Sequence, residues 1–231
     1  MSEAAADYSG YVDVVQAFFD EQYRKHQRYW WNGENRYSLE PGRHTPFNAK
    51  ALRLAIQRGP GRALDIGAGE GADAIRLAKL GYVVDAIELS PVACEKIELF
   101  ARGEGVTVNV RNEPALSVRL ERGVYNLIVM NGLLHYVMEK AEVLEKVRAA
   151  SAAGALHIMS LFSNATPVPA EHTAIPVFPD DEHGEVERFY LRDQLLEAAY
   201  VRAKPERSHP GFAPHDHSFV NQIVRLMTRC A

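Results

Sequence analysis

The stretch LDIGAGEGADAI, Leu64 to Ile75, decides the fold. It follows the short apolar run Arg62–Ile66 and opens an amphipathic segment, Gly71–Leu80, that Gly81 closes. The order is therefore strand, glycine turn, helix. Glycine permits the sharp turn and lets a ligand touch bare backbone. The next strand, Tyr82–Ile87, leads into Glu88, 21 residues beyond Gly67. An acid there is placed to accept both hydroxyls of a ribose. Two ligand classes share this geometry. Gly67, Gly69 and Ala72 fit the dinucleotide pattern, but a pyrophosphate at the helix N-terminus would face Asp65. Like charges at 4 Å repel by ~1 kcal/mol in water and by about four times that near a protein surface. S-adenosyl-L-methionine (SAM) carries an ammonium and a sulfonium and no phosphate, so an acid beside the turn favours it.

Outward from the turn the pattern alternates. A helix is predicted from Val12 to about His26, with Val12, Val15, Phe18, Phe19, Gln22 and Tyr23 on one face. An aromatic, turn-rich segment follows, Arg28 to Phe47, then a helix over Phe47–Gln57 with Thr45 and Pro46 at its start. Downstream, Ser90 and Pro91 begin a helix to about Arg102. Strands are predicted at Val106–Val110, Tyr125–Met130 and Ala155–Leu161, with a helix at Lys140–Ala150. Leu191–Ala199 reads as a helix, and two more strands fit near Val201–Lys204 and Ser218–Met227. Strands alternating with helices of about ten residues predict an α/β fold with a mostly parallel, two-sided sheet. Residues 1–46 form an N-terminal helical and aromatic lid segment, and 47–231 the main domain.

The chain has 231 residues, 47% apolar and 24% charged, with 26 Lys+Arg against 30 Asp+Glu. A net charge of −4 argues against nucleic acid or an anionic membrane surface as the main partner. No apolar run reaches the ~18–20 residues that span a bilayer. MSEAAADYSG lacks a signal pattern, which predicts a cytoplasmic location. Two cysteines, Cys94 and Cys230, without a CxxC, predict neither a disulfide framework nor a zinc–thiolate site. The loop Glu206–Ser218 holds His209, His215 and His217, but too few convincing ligands for a metal, so none is expected. Oligomeric state is not legible.

The run LDIGAGEG, with Glu88 on the next strand, resembles the class I SAM-dependent methyltransferase family. VMNGLLHYV, Val129 to Val137, is similar to that family's segment after strand four. ERFYLRDQLLEAAY and HSFVNQIVRLM resemble the C-terminal end of small-molecule methyltransferases related to tellurite-resistance enzymes. The resemblance covers about residues 47–231. It implies a Rossmann-like three-layer sandwich, a seven-stranded, mostly parallel sheet with an antiparallel last strand. It implies SAM as cofactor. Asp65, Gly67, Ala68, Gly69 and Gly71 would border the aminoacyl part and sulfonium. Glu88 would hold the ribose and Leu89 would pack on adenine. Asn112 or Glu113 would accept from the adenine amine, and Asn131 and Leu133 would lie beside the methionine portion. One departure is Asn126, where relatives often carry Asp.

Methyl transfer is an in-line displacement, so positioning and exclusion of water are most of what a protein adds. His135 follows strand four at the mouth of the sheet, as a base or an acceptor-orienting group; Asn131 and Tyr37 complete the candidates for the chemistry. His157 lies mid-strand in an apolar run and reads as a satisfied core histidine. Tyr29, Trp30, Trp31, Arg36 and Tyr37 form an aromatic cluster suited to a lid over a cation or to pinning an extra helix. The acids from Asp180 to Glu187 read as a solvated face. Transfer to a small-molecule acceptor is the function expected. A SAM-consuming cyclase of the azetidine-2-carboxylate synthase type, a SAM sensor and a dinucleotide oxidoreductase remain open.

Overall fold

The computed structural model describes residues 3–29, 46–168, 175–206 and 215–227. Trp30, Trp31, Arg36, Tyr37 and His209 lie outside these residues. Among the described residues, α1 (Glu3–Lys25) and α2 (Pro46–Arg58) precede the repeat β1 (Arg62–Ile66), α3 (Ala72–Lys79), β2 (Val83–Glu88), α4 (Pro91–Gly103) and β3 (Asn109–Asn112). Then come β4 (Tyr125–Asn131), a 3₁₀ turn (Leu134–Tyr136), α5 (Lys140–Ala150), β5 (Ser151–Phe162), α6 (Glu185–Phe189), β6 (Gln194–Glu206) and β7 (His215–Arg225).

The strands form one seven-stranded sheet in the order β3-β2-β1-β4-β5-β7-β6. β1 to β5 pair in parallel, and β7 runs antiparallel to both of its neighbours. The expected Rossmann-like architecture is present. Side chains alternate between two cores, as the strand period of two demands. Ala63, Val84, Ala86, Leu127, Val129 and Ile158 face α2, α3 and α4, meeting Phe47, Leu77, Ile97 and Phe100. Leu64, Ile66, Ile87, Ile128, Met130 and Met159 face α5 and the α6 region, meeting Val143, Leu144, Val147 and Tyr190. Burial on both faces explains why β4 reads YNLIVMN rather than alternating.

Two corrections concern the C-terminal third. Leu191–Ala199, predicted as a helix, belongs largely to the edge strand β6, and the helix lies earlier, at α6. LLEAAY has good helix formers, but its backbone groups pair with β7 from Gln194↔Arg225 to Glu206↔His215. A long antiparallel ladder outweighs a propensity worth only tenths of a kcal/mol per residue. The acid run is also not simply solvated. Asp180 is buried and caps α6, its carboxylate accepting from the N–H groups of Glu185 and Val186 at 2.9 Å each.

β1 and β4 are neighbours while the chain crosses outward from each in opposite directions. Their carboxyl ends flank the crevice where open α/β sheets bind ligands.

Candidate active site

The glycine turn after β1 is shaped by three residues with left-handed φ: Gly67 at 74°, Gly69 at 54° and Gly71 at 79°. A Cβ on Gly67 would stand 2.9 Å from Leu133, and one on Gly71 2.8 Å from Ile97. Only glycine fits both the backbone and the space. The N–H groups of Gly67 and Ala68 donate to Ile87 O at 2.8 and 3.1 Å, folding the turn against β2.

Acids crowd this turn. Asp65 is 2% exposed, and its Oδ2 accepts from Ala74 N–H in the first turn of α3 at 2.9 Å. Burial, then the carboxylates of Asp73 and Glu88, push its pKa well above the ordinary range. Glu88, 7% exposed, closes β2. Its Oε2 accepts from Gly69 N–H and its Oε1 from Ser90 N–H, both at 2.8 Å. Burial raises its pKa to about 7, although the N–H groups of Ser90, Gly69 and Leu89 oppose the shift. Asp73 accepts from the Asn131 side-chain amide at 2.7 Å, joining α3 to the end of β4. Three buried or nearly buried carboxylates thus converge where β1, β2 and β4 end.

The adenine candidates are engaged differently from one another. The Asn112 amide donates to Glu88 O and Leu89 O at 3.0 and 2.7 Å, holding the half-buried Leu89 in place. The Glu113 carboxylate accepts from Arg111 Nε at 2.9 Å. Leu133 packs against Gly67. Asn126 accepts from Arg62 N–H at 3.0 Å at the opposite end of the sheet, a structural role that leaves the crevice unaffected.

His135 is 3% exposed in the 3₁₀ turn. Its Nδ1 accepts from Phe162 N–H at 3.2 Å, so the neutral ring carries its proton on Nε2. Of the two roles expected for it, this hydrogen bond favours the orienting donor over the base. Phe162 stacks between His135 (3.8 Å, 17°) and His217 (4.2 Å, 10°), and His217 Nε2 lies 2.9 Å from His215 Nε2. Among the described residues no group of three or more His, Cys, Asp or Glu is disposed to hold a metal. His157 is a core residue, bonded to Ser151 Oγ and Tyr190 OH at 2.7 Å each, with its pKa lowered to about 3 by burial and then by Arg148.

The start of the chain packs over this end of the sheet. Phe19 meets the Tyr136 ring edge-on at 5.2 Å, and Tyr11 meets Phe178 at 5.6 Å. Tyr29, first of the aromatic cluster, is fully buried against Tyr23. Tyr37 lies outside the described residues. Asp73, Glu70, Lys96 and Asp20 were not foreseen as site residues, and Ser90 was foreseen only as the start of a helix, which it caps. The available signals were an acid inside the glycine turn and an acid beside Phe19 on a largely apolar helix face.

Residues 63–154 match the model of a methyltransferase domain. No curated protein matches the chain. Among solved structures the chain is similar to TehB from Haemophilus influenzae, with 16% identity and a TM-score of 0.64, over 77% of this chain and 62% of that one. It thus spans a little under two thirds of TehB. It is similar to the Burkholderia thailandensis 1,6-didemethyltoxoflavin-N1-methyltransferase with bound 1,6-didemethyltoxoflavin and S-adenosylhomocysteine, with 17% identity and a TM-score of 0.68, over 95% and 90% of the two chains. The [4+2]-cyclase SpnF also resembles it, with 15% identity and a TM-score of 0.61, over 82% and 85%. At these identities the likeness is one of fold. Among the described residues no helix is long and apolar enough to cross a membrane.

Proposed function

We propose that this chain, whose residues 63–154 match a methyltransferase domain, binds SAM in the class I manner and transfers its sulfonium methyl to a small-molecule acceptor. The observation that carries this is the convergence of Asp65, Asp73 and Glu88 on the glycine turn. Their mutual repulsion suits a ligand bringing positive charge and opposes a pyrophosphate. The donor set also fits SAM part by part. Asp65 and Asp73 would face the ammonium and sulfonium side. Glu88 accepts from Gly69 and Ser90 N–H on different oxygens and would receive the ribose hydroxyls on lone pairs those bonds leave. Leu89 offers an apolar side for adenine, and Asn112 a side-chain oxygen for its amine.

When bound, the cofactor supplies a methyl group on a positively charged leaving group. The chain holds and orients. Asn131, steadied by Asp73, would stand beside the methionine portion, and His135 would offer Nε2–H to orient the acceptor. The ring of Tyr136, buried beneath Phe19 of α1, helps exclude water. No base is built in at His135, which suits an acceptor that holds no proton at the attacking atom. The acidic balance of the whole chain supports a small molecule rather than a nucleic acid.

The test is the identity of the nucleoside product. Incubation with SAM and a panel of small nucleophiles should yield S-adenosylhomocysteine only when an acceptor is present. Methylthioadenosine from SAM alone would replace transfer with intramolecular cyclisation, and absence of SAM binding would remove both readings.

A further inference from the structure

Resting on the assignment of Glu88 to the ribose, we infer that Asp20, Glu70 and Lys96 are positioning residues that couple the docking of α1 to the placement of Glu88. Each oxygen of the Glu88 carboxylate is one residue removed from the N-terminal segment. Oε2 accepts from Gly69 N–H. The next residue, Glu70, is wholly buried, and its carboxylate accepts from Tyr29 N–H at 3.1 Å and from Lys96 Nζ at 2.8 Å. The same ammonium donates to His26 O at 2.5 Å. One lysine of α4 therefore ties the glycine turn to the chain just beyond α1. Oε1 accepts from Ser90 N–H, and the hydroxyl of Ser90 donates to Asp20 of α1. Ser90 and Asp20 are both buried.

Two separate paths thus run from the carboxylate to the N-terminal segment, one through the turn to the residues just after α1 and one through the start of α4 to α1 itself. Between them Tyr23 and Tyr29 pack on Ala93 of α4. If α1 lifts, Glu70 loses its Tyr29 contact and Ser90 loses Asp20. Both N–H donors that aim Glu88 are then less constrained. Conversely, a ribose that fixes Glu88 favours the arrangement in which α1 is down. Such reciprocity is a thermodynamic requirement wherever two events share one bistable element. An ion pair between a wholly buried carboxylate and a largely buried ammonium cannot be halved without leaving a buried charge, so Lys96 is the sensitive point.

The experiment compares wild type, Lys96→Met and Lys96→Arg by titration with S-adenosylhomocysteine and by hydrogen exchange of the peptides covering 10–29. Lys79→Met, which breaks an exposed pair between α3 and Glu104, serves as the control. Lys96→Met should bind the nucleoside tenfold or more weakly and exchange faster in 10–29. Lys96→Arg should restore both, and the control should change neither. In wild type, the nucleoside should slow exchange at Tyr29, an arm that stands even if Lys96→Met does not fold. Weakened binding with unchanged exchange, faster exchange with unchanged binding, or no slowing in wild type would each overturn the coupling. Wild type that fails to bind the nucleoside at all would instead overturn the ribose assignment, and the coupling with it.

Discussion

The pH dependence of cofactor affinity follows from the state of Glu88. In the ligand-free protein its pKa stands at about 7, raised from 4.5 chiefly by burial. A ribose diol donates two hydrogens, so it binds the ionised carboxylate, and binding must first remove any proton there. The apparent dissociation constant then scales as 1 + 10 raised to (7 − pH), a factor of about 1.1 at pH 8 and about 11 at pH 6. Affinity should therefore be full above about pH 7 and fall roughly tenfold, or ~1.4 kcal/mol, on going from pH 8 to pH 6. Calorimetric titration with S-adenosylhomocysteine at pH 6, 7 and 8 measures this directly. Glu88→Gln should bind ~1.5–3 kcal/mol more weakly at pH 8, because charge-assisted hydrogen bonds are lost, and should lose the slope assigned to Glu88. The folding linkage has the opposite sense. A raised acid stabilises the fold most below its unfolded pKa and loses that contribution as pH rises through the folded one. The ligand-free protein should thus lose about 3 kcal/mol from this group between pH 4.5 and 7, and Glu88→Gln should flatten that part of the curve. Affinity that stays level from pH 6 to pH 8, or a slope that survives unchanged in Glu88→Gln, would refute the reasoning.

Other substitutions separate the remaining parts of the site. Asp65→Asn keeps an oxygen for Ala74 N–H but removes charge beside the turn; SAM affinity should fall tenfold or more while thermal stability holds or rises, as read by calorimetry and thermal melts. Gly71→Ala combines a φ of 79° with a Cβ 2.8 Å from Ile97, and should cost ~1–3 kcal/mol in denaturant unfolding. His135→Phe preserves the stack on Phe162 but leaves its N–H without the Nδ1 acceptor, a loss of ~1–3 kcal/mol. If Nε2–H orients the acceptor, the same variant should lower kcat/KM for that acceptor while SAM binding is unchanged.

The parts of this site that were legible in the sequence are those whose chemistry is local. LDIGAGEG holds its strand, its turn and its acid within eight residues, and Glu88 follows at the end of the next strand. The alternation of apolar runs and amphipathic segments likewise foretold β1, β2, β4 and β5, because each of those strands' burial is written in its own composition; β3, expected at Val106–Val110, forms instead at Asn109–Asn112, an edge strand without a buried residue whose place is set by pairing with β2. What failed was an element whose partner is distant. LLEAAY carries no sign that β7 will offer it a ladder, and a helix was the better local choice. The same holds for side chains. Asp20 and Ser90, 70 residues apart, become bonded only once α1 lies on α4, and Lys96 meets His26 across the same distance. His135 was recognisable as a residue at the mouth of the sheet, but its tautomer depends on a backbone N–H from β5, 27 residues on. Ligand chemistry is thus readable where a motif must touch the ligand with its own backbone. The residues that aim that motif are dispersed, and their spacing is set by topology, which no local period records.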